Sequence, residues 1–301
     1  MTPSVTFALS TFIFEFRGRD ARDLLHRIAT LDVRNMDPGD FKPGFLLSAQ
    51  GKIRASFRLA CVSEDSFWIE IDGGSESKWR DEFVRVLDEM TFSEKVELNA
   101  KSDLKNVWIF GLDIVPENHF VERENVLLFS GEKSSYGKPW LSAWGTDVDL
   151  EKFIRTSHAE NSLPEELERD RILNLTPKVN CELLFDSNPL EIGMRKGIAD
   201  NKGCYPGQEV IEKIISLGSP AKRLTLLYGE KGAIPEPGAK VLSPEGIEVG
   251  VLSSVISSPN GGFSALTLLR KNVLQVGKEL KIDQSNQPQL NALIERIADY
   301  E

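Results

Sequence analysis

Apolar residues along the chain recur with two periods, one typical of strands and one typical of helices. Strand-like runs rich in β-branched and aromatic residues fall at 5–16, 45–49, 53–62, 67–71, 107–114 and 126–130. Apolar residues with helical spacing occur directly after Asp20 and over residues 75–90, 147–157 and 164–173. Because strands and helices alternate without long parallel crossovers, the pattern predicts an α+β fold rather than a doubly wound sheet.

The pattern changes after Gly218. Short apolar runs at 224–228, 240–242, 248–254 and 263–269 are separated by turns rich in proline and glycine. Strands of this length and spacing are typical of a small antiparallel barrel. From about residue 283 the chain has the pattern of a polar linker followed by a terminal helical tail.

Composition narrows the range of partners. The chain has 301 residues and a formal net charge of −10, which argues against nucleic acid as the main partner. No apolar run is long enough to span a bilayer. The start, Met1-Thr2-Pro3-Ser4, lacks the cationic segment of a secretion signal. We therefore expect a cytoplasmic protein without membrane contacts.

The cysteines and histidines are too scattered to predict a metal site within the chain. Cys61, Cys181 and Cys204 form no C-x-x-C pair, and the three histidines form no H-x-x-x-H pair. We interpret all three histidines as core or surface residues, and the five tryptophans mainly as core. Widely spaced cysteines fit a reducing compartment, where disulfides are rare.

One short segment, Lys202-Gly203-Cys204-Tyr205-Pro206-Gly207-Gln208-Glu209, concentrates chemistry around a single thiol. The residues after Gly207 carry a helical stripe that ends at Gly218, a residue suited to a left-handed cap. The positive end of this helix and Lys202 are expected to favour the thiolate of Cys204, and the helix end also suits an anion.

The residues of this segment leave two interpretations of Cys204 open. It is either a small apolar side chain in a glycine-shaped turn or a reactive thiol among polar neighbours. Lys202 likewise either draws the thiol towards its thiolate form or points into water.

The segment Lys202–Glu209 resembles the signature loop of the YgfZ family, folate-binding relatives of the aminomethyltransferase (T protein) of glycine cleavage. Three weaker similarities occur in the same order as in that family: Gly51-Lys52-Ile53, Lys222-Arg223-Leu224 and the strand Val249–Ser254. The resemblance extends from about Ala21 to about Ile282.

The resemblance implies a fold, a domain organisation and a function. The implied α+β fold has two interleaved ferredoxin-like units around a central folate cleft, followed by a small antiparallel β-barrel. Its domains would be a folate-binding region over 1–217 (with 43–98 as the inserted second unit), a barrel over 218–283 and a tail over 284–301. The implied function is binding of tetrahydrofolate and support of iron–sulfur cluster assembly or repair through Cys204. One thiol cannot complete a cluster, so assembly or client proteins would supply the other ligands of any transient cluster.

The resemblance also implies which residues bind folate. Glu209 would recognise the pterin edge and Arg223 the glutamate tail. The other expected contacts are Lys202, Tyr205, Gln208 and Asp72. Each residue type also has a structural interpretation: Glu209 as an acid in the first turn of a helix, Arg223 as a solvated charge and Tyr205 as a packed ring.

The main alternative is a folate-dependent aminomethyltransferase. Enzymes of that branch carry an aspartate on the strand after the glycine turn, where this chain has Ala55 and Ser56. Neither can steer a proton as a carboxylate does. Asp72 stands where those enzymes tend to have a folate-facing asparagine. Both differences argue against aminomethyl transfer. A third possibility is a redox enzyme or sensor that uses Cys204 without a resolving thiol.

Overall fold

The computed structural model describes residues 3–7, 11–73, 78–161, 163–229, 232–258, 261–284 and 288–300. The chain divides into two compact units. The first comprises residues 1–164 and 196–208, and the second comprises residues 165–195 and 209–301. None of the helices in the described ranges has the length and apolar character required to cross a membrane.

The first unit is built from two sheets with helices on their outer sides, a five-stranded antiparallel sheet and a six-stranded sheet in which β1 (Ser4–Phe7) and β11 (Glu160–Asn161) pair in parallel. Its helices are α1 (Ala21–Ile28), α2 (Lys78–Met90) and α3 (Asp147–Thr156). Its strands are β1 (Ser4–Phe7), β2 (Thr11–Arg17), β3 (Phe41–Leu47), β4 (Ile53–Cys61), β5 (Ser66–Asp72), β6 (Glu97–Ala100), β7 (Lys105–Phe110), β8 (His119–Arg123), β9 (Val126–Ser130), β10 (Trp140–Gly145) and β11 (Glu160–Asn161). The predicted start of α2 at residues 75–77 lies outside the described residues.

Each sheet of this unit packs a helix against one face. The five-stranded sheet has the order β3-β4-β5-β2-β6, and Phe57 of β4 packs against Phe83 of α2 with ring centroids 5.5 Å apart. The six-stranded sheet has the order β11-β1-β7-β10-β9-β8, and its Val107 and Ile109 share a core with Phe153 of α3. Each sheet therefore has a second face, opposite its helix, that can pack against the other sheet.

The remaining faces of the two sheets pack together. Side chains alternate along a strand, so one residue in two points away from the helix. Ala60 of β4 and Phe41 of β3 meet Phe129 of β9 and Trp144 of β10 in one apolar cluster. We call the surfaces that meet here the inter-sheet face.

The second unit contains most of α4 (Pro164–Leu173) and α5 (Gln208–Ser216) and a closed six-stranded barrel. The barrel strands, in the order β12-β15-β14-β13-β16-β17, are β12 (Lys222–Gly229), β13 (Lys240–Leu242), β14 (Glu248–Ser257), β15 (Phe263–Arg270), β16 (Glu279–Asp283) and β17 (Leu290–Ile297). All pairings between them are antiparallel. The predicted small antiparallel barrel is confirmed.

The predicted helical tail is wrong. Residues 290–297 form β17, which pairs with β12 and β16 and closes the barrel. Ala292 and Ile294 point into the barrel core, whereas Asn291 and Leu293, which alternate with them, are exposed. The strand therefore has the period of two that pairing requires, and the barrel extends beyond the predicted limit of 283.

Candidate functional site around Cys204

Cys204 lies in the loop that leads into α5, and its side chain is exposed. The other two free cysteines are less accessible, since Cys61 is buried and Cys181 is half-buried. Helix α5 begins at Gln208, four residues after Cys204, and Gly218 follows it with φ of +76°. The predicted helix and its glycine cap are confirmed. The exposed position makes Cys204 the most accessible of the three thiols.

Lys202 is buried and holds the loop against the end of α1. Its Nζ donates hydrogen bonds to the backbone carbonyls of His26 (2.5 Å), Ala29 and Leu31 (2.9 Å). Carbonyl groups at a helix C-terminus favour a cation. Burial lowers the pKa of Lys202 to about 8. Only 7% of the residue is exposed, so it does not point into water, and its three hydrogen bonds go to α1 and the residues after it.

Tyr205 is also buried, and its ring lies beside the same ammonium group. The ring centroid is 5.0 Å from Lys202 Nζ, within the range of a cation–π contact. Lys202 and Tyr205 therefore support the loop from beneath, while Gly203 and Cys204 are exposed. Contacts of these two residues with folate stay a prediction.

Thr30 fixes the segment that enters the loop. Its Oγ1 donates to the carbonyl of Gly197 (2.5 Å) and accepts from the backbone N–H of Phe45 (2.9 Å). Its own carbonyl accepts from the N–H of Ala199 (2.9 Å). A Cβ atom on Gly197 would lie 2.4 Å from the Phe45 ring, so glycine allows this close approach.

Gly207 fixes the other end of the loop against the turn before β4. Its φ is +83°, and a Cβ atom there would lie 2.5 Å from the carbonyl oxygen of Ser48 and 3.0 Å from Gly51 Cα. The structure thus brings the predicted glycine turn at Gly51 into contact with the Cys204 loop. Together with Lys202 and Thr30, this contact holds the backbone on both sides of the thiol.

A histidine and an aspartate that were not predicted as site residues lie behind the loop. His26 Nδ1 is 3.2 Å from Asp32 Oδ1, and His26 Nε2 is 3.8 Å from where a Cβ on Gly203 would be. Burial, with the nearby charges of Lys202 and Arg34, lowers the pKa of His26. The imidazole is therefore mainly neutral at pH 7. No local sequence signal marked it, because the loop lies far away in the sequence.

The remaining predicted folate contacts belong to different elements of the fold. Glu209 is exposed in the first turn of α5, and Gln208 is half-buried at its start. Arg223 donates to the carbonyl of Ala298 (3.0 Å) and lies over the ring of Tyr300 at 4.6 Å. The backbone of Asp72 ends β5, but its side chain lies outside the described part of the chain. Their roles in ligand binding stay predictions.

Ala55 and Ser56, the two positions where the resemblance places the enzymes' aspartate, lie on opposite faces of β4. Ala55 is fully buried and lies on the same face of β4 as Phe57, the face that packs against α2. Ser56 is half-buried and lies on the inter-sheet face, as does Arg58 two positions later. Of the two, only position 56 offers a side chain to this face.

Polar groups form a connected network across the inter-sheet face. Glu70 of β5, 1% exposed, accepts from Ser142 Oγ (2.5 Å) and from Arg58 Nε (3.2 Å). Trp144 Nε1 donates to the same serine oxygen (3.0 Å), and the Arg58 guanidinium lies 5.5 Å from the ring centroid of Trp140. The bond between Glu70 and Ser142 joins the two sheets, and buried polar networks of this kind define the packing of the layers they connect.

Comparison with known proteins identifies the fold of the chain. No family model matches the chain. The crystal structure of the glycine cleavage system aminomethyltransferase T from Bartonella henselae superposes with a TM-score of 0.84 and 14% sequence identity, covering 98% of this chain and 85% of that one. The chain has the aminomethyltransferase T fold. At this identity the similarity concerns the fold alone.

A curated relative is similar in sequence over part of the chain. The Arabidopsis thaliana protein named "Putative transferase At1g60990, chloroplastic" is 31% identical over an alignment of 214 residues, and the match covers 64% of this chain. The match spans 48% of that protein, so the chain matches about half the length of this relative.

Proposed function

We propose that this protein binds tetrahydrofolate and supports iron–sulfur cluster assembly or repair, with Cys204 as the thiol that acts together with a partner protein. The observation that carries the proposal is the construction of the loop. Lys202 and Gly207 fix the backbone on either side of Cys204, while the thiol itself is exposed. A fixed, exposed thiol suits transient contact with another protein better than a packing role.

The proposal requires thiolates from the partner. Within the described ranges, no three His, Cys, Asp or Glu side chains are grouped so that they could hold a metal ion. Iron–sulfur clusters are held mostly by cysteine thiolates, usually four. In this proposal Cys204 supplies one ligand or one sulfur nucleophile, and the cluster is cargo rather than a resident cofactor.

Two features of the first unit support the folate part of the proposal. A folate needs flat apolar walls and a few polar groups that fix the orientation of the pterin. The inter-sheet face combines the rings of Trp108, Phe110 and Tyr136, with centroids 5.0 to 6.4 Å apart, with the polar network of Glu70 and Ser142. When bound, tetrahydrofolate would carry a one-carbon unit, and these residues would bind and orient it.

The test separates folate binding from the use of the thiol. Purified wild-type protein and the Cys204→Ala variant are titrated with tetrahydrofolate by calorimetry, and both are expressed in cells that lack the protein. We expect Cys204→Ala to fold and bind folate normally but to fail to restore the activity of iron–sulfur enzymes. Cys181→Ala, the half-buried thiol, is the matched control and should restore activity fully. Full activity with Cys204→Ala would refute the role of the thiol.

Aminomethyl transfer is the second candidate, because the chain has the fold of an aminomethyltransferase and a relative is named a transferase. This function predicts turnover of an aminomethyl donor in the presence of tetrahydrofolate. The residues at 55 and 56 argue against it, since neither carries a carboxylate. Turnover by the wild type that persists in Cys204→Ala would favour the enzyme over the first proposal.

A further inference from the structure

A histidine and a carboxylate behind the Cys204 loop lie close together without forming an aligned hydrogen bond. His26 Nδ1 is 3.2 Å from Asp32 Oδ1. Both atoms are buried, and neither makes a hydrogen bond to any described part of the chain. Only 7% of His26 is exposed. Buried polar atoms are normally paired, so this imidazole and its carboxylate require an explanation.

The Asp32 carboxylate is held in place through its other oxygen. Asn35 Nδ2 donates to Asp32 Oδ2 at 2.6 Å, which leaves Oδ1 beside the imidazole. A carboxylate next to Nδ1 favours the tautomer that carries its proton on Nδ1, and the free lone pair is then on Nε2. Histidines that bind a metal through one ring nitrogen usually have such a carboxylate at the other.

The second ring nitrogen of His26, Nε2, faces the loop at Gly203. A Cβ atom built on Gly203 would lie 3.8 Å from Nε2. Apart from the adjoining residues of the loop, no other described atom would lie within 4 Å of it. Gly203 is itself exposed. The missing side chain at position 203 therefore leaves the approach to Nε2 uncovered.

The exposed thiol of Cys204 adjoins the same short stretch of the loop. Cys204 follows Gly203 directly, and consecutive Cα atoms are about 3.8 Å apart. Lys202 leaves no donor for this thiol, because its three N–H groups all bind backbone carbonyls. A thiolate and an imidazole nitrogen are ligands that suit iron and zinc.

We propose that His26 Nε2 and Cys204 Sγ together bind a divalent transition metal ion, with Asp32 as the residue that positions the imidazole. Binding forms one metal–nitrogen and one metal–sulfur bond, and the thiol releases its proton to water. Two ligands are half of a tetrahedral set, so a partner protein would supply the other two. The inference rests on the proposed function and deepens it, since it adds a nitrogen ligand to the single thiol.

Cobalt(II) is the probe, because cobalt bound to a thiolate has a charge-transfer absorption band. It is titrated without oxygen into the wild type, Cys204→Ala, His26→Gln and Asp32→Asn. We expect a saturable band that is lost in Cys204→Ala. Asp32→Asn should weaken binding about tenfold, as loss of a positioning carboxylate does, and His26→Gln should weaken it at least as much.

His119→Gln is the matched control. His119 is exposed, and its Nε2 lies 3.8 Å from Asp40 Oδ1, so it is a second histidine beside an aspartate. Its substitution should leave cobalt binding unchanged. Urea midpoints of all variants are measured without metal. His26→Gln keeps the backbone carbonyl that accepts from Lys202, so this bond does not depend on the substitution.

Gly203→Ala tests the approach to Nε2 without changing either ligand. The added methyl group would make an ordinary contact at 3.8 Å, so the urea midpoint should stay the same. The methyl group would nevertheless cover Nε2, and cobalt binding should weaken.

Three results would overturn the inference: no cobalt band in the wild type, a band that persists in Cys204→Ala and marks adventitious binding, or equal affinity in His26→Gln and the wild type. The proposed function then still stands if Cys204→Ala fails to restore iron–sulfur enzymes in cells. If Cys204→Ala restores them fully, both the inference and the proposed function are overturned.

Discussion

Gly207 and Gly51 meet backbone against backbone, although 156 positions separate them in the sequence. A methyl group built on Gly207 would lie 3.0 Å from Gly51 Cα and 2.5 Å from the carbonyl oxygen of Ser48. Both glycines have positive φ, +83° and +69°. The contact joins the loop of Cys204 to the turn before β4, and it leaves no room for a side chain.

Gly207→Ala should therefore destabilise the protein by about 3 kcal/mol, because the backbone must shift and the positive φ is strained. Gly218→Ala is the matched control. Its φ is +76°, but no atom lies within 4 Å of the added methyl group, so only the strain of about 1 kcal/mol remains. Urea unfolding measures both. Equal effects of the two variants would contradict the close approach at Gly207.

Lys202→Met should destabilise the protein by about 2 kcal/mol at pH 7, because three backbone carbonyls lose their donor. Lys213→Met, on the exposed side of α5, is the control and should have little effect. Thermal unfolding followed by circular dichroism provides the measurement.

The same lysine predicts a pH dependence with a definite sign. Its pKa is about 8 in the folded protein, below its ordinary value of 10.5. Between these values the unfolded chain binds more protons, so the stability that Lys202 contributes rises with pH. The difference in unfolding free energy between wild type and Lys202→Met should therefore grow from pH 8 to 10. A difference that is constant over this range would show that the ammonium pKa is not lowered.

Ala55→Asp should destabilise the protein by about 3 kcal/mol or more, because it places a carboxylate in the apolar layer between β4 and α2. Ser56→Asp should lower the free energy of unfolding by only about 1 kcal/mol, since position 56 is half-buried and lies on the same polar side of the strand as Arg58. Urea unfolding of the two variants compares them directly. A larger effect at 56 than at 55 would contradict the assigned strand faces.

Glu182 in the second unit accepts hydrogen bonds from Arg171 (3.0 Å), from Ser253 and Ser254 (both 2.6 Å), and from the N–H of Lys178 (3.0 Å).

Because this carboxylate is buried, Glu182→Gln should cost about 3 kcal/mol by leaving Arg171 partly uncompensated. Glu248→Gln, which removes an exposed pair with Lys240, should stay within about 0.5 kcal/mol. Differential scanning calorimetry of both variants is the measurement. No loss of stability in Glu182→Gln would mean that the network contributes nothing.

Local sequence signals predicted the elements that are bounded by glycine or proline residues. Helix α5 follows Gly207 and ends before Gly218, and the turns around Pro237 and Pro244 separate barrel strands at the predicted places. The last strand shows where such signals fail. Leu290, Leu293, Ile294 and Ile297 have helical spacing, but Ala292 and Ile294 also alternate, and pairing with β12 and β16 makes this segment a strand.

The candidate site shows the same division between local and tertiary information. The sequence by itself determined the loop, its cysteine as the leading candidate and the helix that follows it, because these depend on neighbouring residues, whereas the exposure of the thiol was known only from the structure. Only the tertiary structure decided that Lys202 binds the end of α1, that Gly207 abuts Gly51 and that Ser142 of one sheet donates to Glu70 of the other. These contacts join residues far apart along the chain, and burial and backbone packing, rather than local preference, select them.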